Sequence, residues 1–257
     1  MQTNQTISLG MYSIDRELEN AWESLFLLAA ERSPVLSLPG KILNTVDDEV
    51  VTSYNNRLSH VCGYPLVKRF AGKLQPLCAP YFDIYGYTGA EYFSYFLVRR
   101  DSQINSISEA RDLVAAVNSL DSNSGMSVLR HEIEKVRGLG SIDDFFQRIV
   151  ISGSHASSIN SILDGETDIA SIDASSYYYL QKNKPELRSQ LKIVGRSIKT
   201  PSPPFVTDVN NPLCTPYDLA AALNGSLGAL SDELKNVLNI KKFLVVTYAD
   251  YEHMLYL

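Results

Sequence analysis

The sequence predicts an α/β fold of mainly parallel sheets flanked by helices and divided into two lobes. Three observations carry this reading. Short apolar runs alternate with stretches of helical spacing along most of the chain. Several of those runs open into polar loops that feed a helix. Two strands, Glu91–Arg99 and Lys192–Ile198, stand where the chain would cross between lobes. Two crossings make a hinge, with lobe 1 formed by residues 1–96 and 199–257 and lobe 2 by residues 97–198.

Taken in order, Ile7 to Met11 alternate apolar and small residues and predict a first strand. Leu18, Ala21, Trp22, Leu25, Phe26 and Ala29 then keep spacings of three and four, which predicts a long helix that Pro34 ends. After a loop at Pro39-Gly40, Val50 to Leu58 has helical character, and Ser59 to Cys62 reads as a short strand closed by a sharp Gly63-Tyr64-Pro65 loop. Leu74 to Ala79 and Glu91 to Arg99 are strands. Ser106, with Glu109 three residues on, forms a capping box ahead of Ala110 to Leu113.

Val114 to Val117 is the next strand. The polar Asn118 to Gly125 then feeds a helix carried by Met126, Leu129, Ile133 and Val136 until Gly138 and Gly140 stop it. Ile149 to Ile151 repeats the theme: strand, polar loop, and a short helix with Ile159, Ile162 and Leu163 on one face. Asp164, Gly165 and Glu166 end that helix. Ile169, Ala170 and Ile172 form a buried strand from which Asp173 emerges. The proline-rich Lys199 to Pro216 reads as a loop or linker. Two helices follow, Tyr217–Leu230 and Asp232–Leu238, the second capped by Ser231. The C-terminal FLVVTYADYEHMLYL combines a short strand or loop with a last helix.

Composition narrows the function classes. At 257 residues, 45% hydrophobic and a net charge of −6, the chain is ordinary globular material, and it lacks the basic surface that nucleic-acid phosphates demand. A small anion is still admissible, because backbone N–H groups bind anions without an excess of Lys or Arg. The 15 tyrosines cluster at 81–95, 177–179 and the C-terminus, which suits core, rim or a cleft equally. Three cysteines without a CxxC pair signal neither a zinc site nor a disulfide framework, and a Cys62–Cys78 bridge is permitted but unforced. No segment approaches the roughly 18–20 apolar residues that span a bilayer. The N-terminal residues have neither the basic nor the apolar region of an export signal, so a cytoplasmic location stays open.

The residues with chemistry to offer gather in two loops. Ser122, Asn123, Ser124 and Gly125 stand where a helix begins, so hydroxyls and unpaired N–H groups face the same way as the positive end of the helix dipole. Ser154 to Ser157, with His155 among them, repeats the arrangement. Taken singly, such serines are the caps that helices ordinarily use; two such loops after strands point to a shared ligand. In an open α/β sheet that ligand sits beyond the carboxyl ends of the strands, where Asp173 would meet it as a hydrogen-bond acceptor or else simply start a turn. Signals for catalysis are thinner. There is no GxSxG elbow, and His131-Glu132-Ile133-Glu134 breaks the zinc-protease spacing. His60 and Cys62 share a strand face, which permits a thiolate pair but fits a buried strand cysteine better. No phosphate-loop or dinucleotide glycine pattern occurs, and no cofactor is expected.

The motifs LGMY at 9–12, CGYP at 62–65, SNSG at 122–125, GSH at 153–155, DGETDIASID at 164–173 and PPFV at 203–206 follow one order. In that order the chain resembles the substrate-binding proteins of phosphate and phosphonate ABC transporters, of the type 2 periplasmic binding protein fold. The resemblance implies two α/β lobes with a ligand cleft that closes by hinge motion. It assigns the anion cradle to Ser122, Asn123, Ser124, Gly125 and His155, the opposite lobe's lining to Tyr12 and Tyr64, and the distal or protonated end of the ligand to Asp173. Phosphonate-binding relatives often carry threonine where this chain has Asn123. The implied function is capture of a small oxyanion (phosphate, phosphite or phosphonate) for a membrane permease, in a periplasmic or extracytoplasmic location. The alternatives are a cytoplasmic enzyme on the same scaffold acting on a small carboxylate or phosphorylated metabolite, or a ligand-sensing regulatory module.

Overall fold

In the computed structural model, which describes residues 5–33, 36 and 41–257, the chain divides into two units. Residues 1–91 with 201–255 form the first, and 92–200 with 256–257 the second, whereas the sequence reading sets its boundaries at 96/97 and 198/199 and keeps 256–257 in lobe 1. The expected helix end at Pro34 and the loop at Pro39-Gly40 lie outside the described residues.

The first unit opens with β1 (Thr6–Ser8), shorter than the Ile7–Met11 strand expected because Gly10–Tyr12 coil into a 3₁₀ turn. Then come α1 (Arg16–Arg32), β2 (Lys41–Leu43), α2 (Asp48–Val51), β3 (Asn56–His60), α3 (Gly63–Lys68) and β4 (Leu74–Phe82). Asp15 caps α1 by accepting from Leu18 N, and the six apolar positions that predicted this helix are all buried. The helix expected over Val50–Leu58 is instead a single turn followed by β3. Leu58 is drawn into the sheet, where β3 pairs with β1, so tertiary pairing overrides the local pattern. CGYP likewise starts α3 rather than closing a loop. Gly63 is needed there for proximity: a Cβ would lie 2.7 Å from Met254 Sδ and Tyr251 Cδ1.

Two short strands, β5 (Glu91–Tyr92) and β11 (Thr200–Pro201), pair with each other where the chain passes between units. Between them lie the elements of the second unit: β6 (Ser94–Arg99), β7 (Val114–Val117), α4 (Val128–His131), α5 (Ile142–Phe145), β8 (Arg148–Ile151), α6 (His155–Leu163), β9 (Ile169–Asp173), α7 (Ala174–Asn183), α8 (Leu187–Gln190) and β10 (Leu191–Arg196). The Ser106 capping box leads only into a 3₁₀ turn, Ile107–Ala110, its serine hydroxyl donating to Glu109 rather than capping a backbone N–H.

After β11 the chain completes the first unit with β12 (Phe205–Asp208), α9 (Pro216–Ala229), α10 (Asp232–Leu238), β13 (Ile240–Val245) and α11 (Tyr248–Glu252). β12 corrects the expectation of a loop or linker over Lys199–Pro216. It lies inside the sheet, whose order is β13-β4-β12-β3-β1-β2. Its four residues carry no proline, while Pro203 and Pro204 precede it and Pro212 follows, so the ladder keeps its donors.

Both sheets are mixed. The β-α-β portions are parallel, β2-β1-β3 in the first and β8-β7-β9 in the second. The strands next to the crossings and at the chain end run antiparallel. The second sheet, ordered β10-β6-β9-β7-β8, is apolar on both faces, as its runs VAAV and IASID require. Phe96, Val98, Ala115, Val117 and Ile169 pack on one side with Met126, Leu129, Ile133 and Phe145. Leu97, Ala116, Ala170 and Ile172 pack on the other with Ile159, Ile162 and Tyr177. In the first unit an aromatic core joins Trp22, Phe26, His60, Phe205 and Phe243. The three cysteines are free thiols, so the Cys62–Cys78 bridge left open by the sequence is not formed.

Candidate functional site

β8, β7 and β9 are adjacent and parallel, so the residues that follow them leave the second sheet at the same edge. This brings together the loop after β7 with Ser122–Gly125, the loop after β8 with His155, and Asp173 at the end of β9. Backbone bonds join the first two loops: Ser152 N donates to Val117 O and Gly153 N to Asn118 O, at 2.9 and 3.1 Å.

The helix expected after Gly125 begins as a π turn, Asn123–Ser127, and widens again over Glu132–Val136, with only α4 between them. In the first turn both Met126 N and Ser127 N donate to Ser122 O at 3.0 Å. Ser122 caps the turn by accepting from Gly125 N at 3.0 Å. Asn123 N and Ser124 N have no acceptor among the described residues, which is the unspent donor pair of a helix start. Gly125 allows this turn to close, since a Cβ there would meet Asn118 Oδ1 at 2.2 Å. The Ser124 carbonyl is pinned from below by two hydroxyls, Ser94 Oγ at 2.8 Å and Ser171 Oγ at 2.6 Å.

Ser124 Oγ lies 2.9 Å from His155 Nε2 and 3.3 Å from Ser122 Oγ. His155 is the first residue of α6, whose cap is Ser154 accepting from Ser157 N. The residue is partly exposed, but Nδ1 is enclosed without a partner among the described residues, and burial pushes the imidazole down to about 4. His155 is therefore neutral at neutral pH, its ring able to accept from or donate to Ser124 according to tautomer. An anion arriving beside it would favour the charged form.

Asn123 is fully buried and points away from the hydroxyl cluster. Its Nδ2 donates to Tyr92 Oη at 2.9 Å and Thr200 Oγ1 at 2.8 Å, and its Oδ1 has no partner among the described residues. Asp173 is buried and caps α7, its Oδ1 accepting from Ser175 N at 2.6 Å and Ser176 N at 3.3 Å. In the first unit Tyr12 is 1% exposed and packs against His60 and Phe82, so its ring belongs to the core. Tyr64, in the first turn of α3, is partly exposed beneath Lys68 Nζ at 5.0 Å.

The other chemistry-bearing residues are structural. His60 donates from Nε2 to Pro203 O at 3.1 Å, stacks on Phe205, and is pushed down to about 3 by burial. No group of three or more His, Cys, Asp or Glu side chains among the described residues would hold a metal, and no helix among them is long and apolar enough to cross a membrane. Sequence reasoning missed Ser94, Ser171, Tyr92 and Thr200. Ser171 carried a faint signal, a hydroxyl on the same strand face as Ile169 and Asp173; the others are brought in by strand pairing that no local pattern announces.

Residues 58–253 match the family model described as ABC transporter, phosphonate, periplasmic substrate-binding protein. No curated protein sequence matches the chain. Among solved structures, it is similar to PhnD1 from Prochlorococcus marinus in complex with methylphosphonate, with a TM-score of 0.75, 17% identity and coverage of 100% of this chain and 97% of that one. A binding protein component of an ABC phosphonate transporter from Pseudomonas aeruginosa gives a TM-score of 0.74 at 16% identity, over 100% of this chain and 85% of that one. A Xanthomonas citri protein bound to ATP gives 0.67 at 15% identity, over 98% of each chain.

Proposed function

The chain belongs to the phosphonate-binding family of periplasmic substrate-binding proteins of ABC transporters, and from that premise we propose that it captures a small phosphorus oxyanion for a membrane permease. The ligand class is a phosphonate, with phosphate and phosphite as its nearest relatives, and the site of action lies outside the cytoplasm. The observation that carries this reading is the cradle itself. Two unspent N–H groups at Asn123 and Ser124, the hydroxyls of Ser122 and Ser124, and an enclosed neutral His155 meet beyond the ends of adjacent parallel strands. Such a set offers donors in excess of acceptors and no fixed cation, which suits an oxyanion that brings its own charge.

In this reading the anion takes the N–H groups of Asn123 and Ser124, Ser124 Oγ turns from the imidazole to the ligand, and His155 donates once the anion's field has favoured its protonation. Gly125 keeps the turn tight enough for the N–H groups to converge. Asp173 and Tyr64 are the further residues proposed for the ligand, whereas the buried Tyr12 ring belongs to the core. Asp173 stands at the end of β9, at the same sheet edge as the cradle, and Tyr64 is the more accessible of the two tyrosines.

A thermal-shift and calorimetric screen of methylphosphonate, aminoalkylphosphonates, phosphate, phosphite, sulfate, carboxylates and ATP tests the proposal. A phosphorus oxyanion at 100 times its Kd raises stability by about 2.7 kcal/mol, a shift of several degrees. A flat response to every phosphorus compound would end it, and conversion of a bound ligand to product would point to an enzyme instead.

A further inference from the structure

The carboxamide of Asn123 does more than occupy the middle of the cradle. It is wholly buried, and it spends both N–H bonds on hydroxyls from the two places where the chain passes between its units: Tyr92 in β5 and Thr200 in β11. The units divide at 91/92 and 200/201, so each hydroxyl stands on the residue next to a crossing. Because hydroxyls donate as well as accept, the bridge holds for either orientation of the carboxamide. The buried Oδ1 has no partner among the described residues, a cost that a side chain serving only local hydrogen-bond satisfaction would not carry. The same residue supplies one of the two free N–H groups of the cradle.

We propose that Asn123 is a positioning residue that straps the anion cradle to both crossings, so that occupancy of the cradle is felt at the hinge. The inference rests on the proposed anion site. Its backbone N–H answers to the ligand and its side chain to the crossings, which makes the residue a mechanical link between the two. A threonine at this position would have one hydrogen to donate where the carboxamide gives two.

Methylphosphonate binding and amide hydrogen exchange of the whole chain test the strap. In ligand-free protein, Asn123→Ala should speed exchange at residues 91–93 and 199–200, and Ser124→Ala should not. Methylphosphonate should slow exchange at both crossings in wild type and lose that effect in Asn123→Ala. Affinity should fall roughly 25-fold, about five-fold for each hydrogen bond lost. Tyr92→Phe combined with Thr200→Val should reproduce that loss, and adding Asn123→Ala to this background should change affinity less than about two-fold.

A further large loss in that background would mean that Asn123 acts on the ligand directly, and the strap would be withdrawn. Unchanged exchange at the crossings in ligand-free Asn123→Ala overturns it on its own. That arm reads the strap even if wild type ignores methylphosphonate, the result that would defeat the function rather than the link. Should Asn123→Ala fail to fold, the single variants Tyr92→Phe and Thr200→Val, which keep most of the packing, carry the same comparison.

Discussion

His60 in the first unit and His155 in the second are both enclosed and both held neutral by burial, yet they use their ring nitrogens differently. His60 donates to Pro203 O and stacks on Phe205 within an aromatic core. His155 touches one serine hydroxyl and keeps an enclosed Nδ1 without a partner among the described residues. A satisfied histidine stabilises the fold as it stands, whereas one with unspent capacity is stable enough to be tolerated and still has something to offer a ligand. The same contrast separates their surroundings: rings close-packed around one, hydroxyls and free N–H groups around the other.

Acid should expose both histidines together, and this is the largest effect expected. Each folded pKa, about 3 for His60 and about 4 for His155, lies below the 6.5 of the unfolded chain. The unfolded state therefore binds more protons as pH falls below 6.5, so stability is complete above that value and drains away toward pH 4 and below. Urea unfolding at pH 7 and pH 4.5 should differ by roughly 4 kcal/mol from these two groups, with the smaller share from His155, whose pKa is lowered less and whose residue is partly exposed. His155→Asn should reduce the slope and His60→Phe reduce it further. A slope untouched by either variant would break the comparison.

His60→Ala should then cost about 3 kcal/mol at neutral pH through the cavity left beside Phe205 and Trp22, while the methylphosphonate response survives in whatever fraction stays folded. His155→Ala reverses the pattern: little change in melting temperature, but about a hundred-fold loss of affinity, near 2.7 kcal/mol. Calorimetry that found equal affinity in wild type and His155→Ala would show that the enclosed Nδ1 is only a tolerated defect. The smallest effect is expected from Ser171→Ala. It removes one of the two hydroxyls on the Ser124 carbonyl, leaves Ser94, and should weaken binding about five-fold. Ser94→Ala with Ser171→Ala should cost more than the sum of the singles, because only the pair strips the carbonyl bare.

Much of the fold was legible because the apolar spacing was strict: α1, α6, β7 and β9 stand where the periods of three to four and of two put them. Where local signals conflicted with pairing, pairing won. β3 captured Leu58 from a helical pattern, and β12 formed between prolines that reads as linker in one dimension. The polar loops of the site were visible as hydroxyls and glycines ahead of helices. Their supports were not, because Ser94 and Ser171 reach the Ser124 carbonyl only through the β6–β9 pairing, and Asn123 meets Tyr92 and Thr200 across 31 and 77 residues of chain. Ser154, also readable as a plain cap, does cap α6, and Asp173, also readable as the start of a turn, caps α7.

The π turn at Asn123–Ser127 ties the cradle to the length of the polypeptide. A π turn holds about one residue more than the α turn it replaces, and here that residue lets Ser127 N reach back to Ser122 O. Deleting Met126 would leave the count of an ordinary α turn, so Leu129 and Ile133 would keep their phase toward the core they fill, while the wide turn that presents Asn123 N and Ser124 N would be lost. Substitution and deletion are therefore unequal events in this segment. The variant lacking Met126 should keep most of its melting temperature and lose the methylphosphonate response, so the count of this loop answers to the cradle more than to the core.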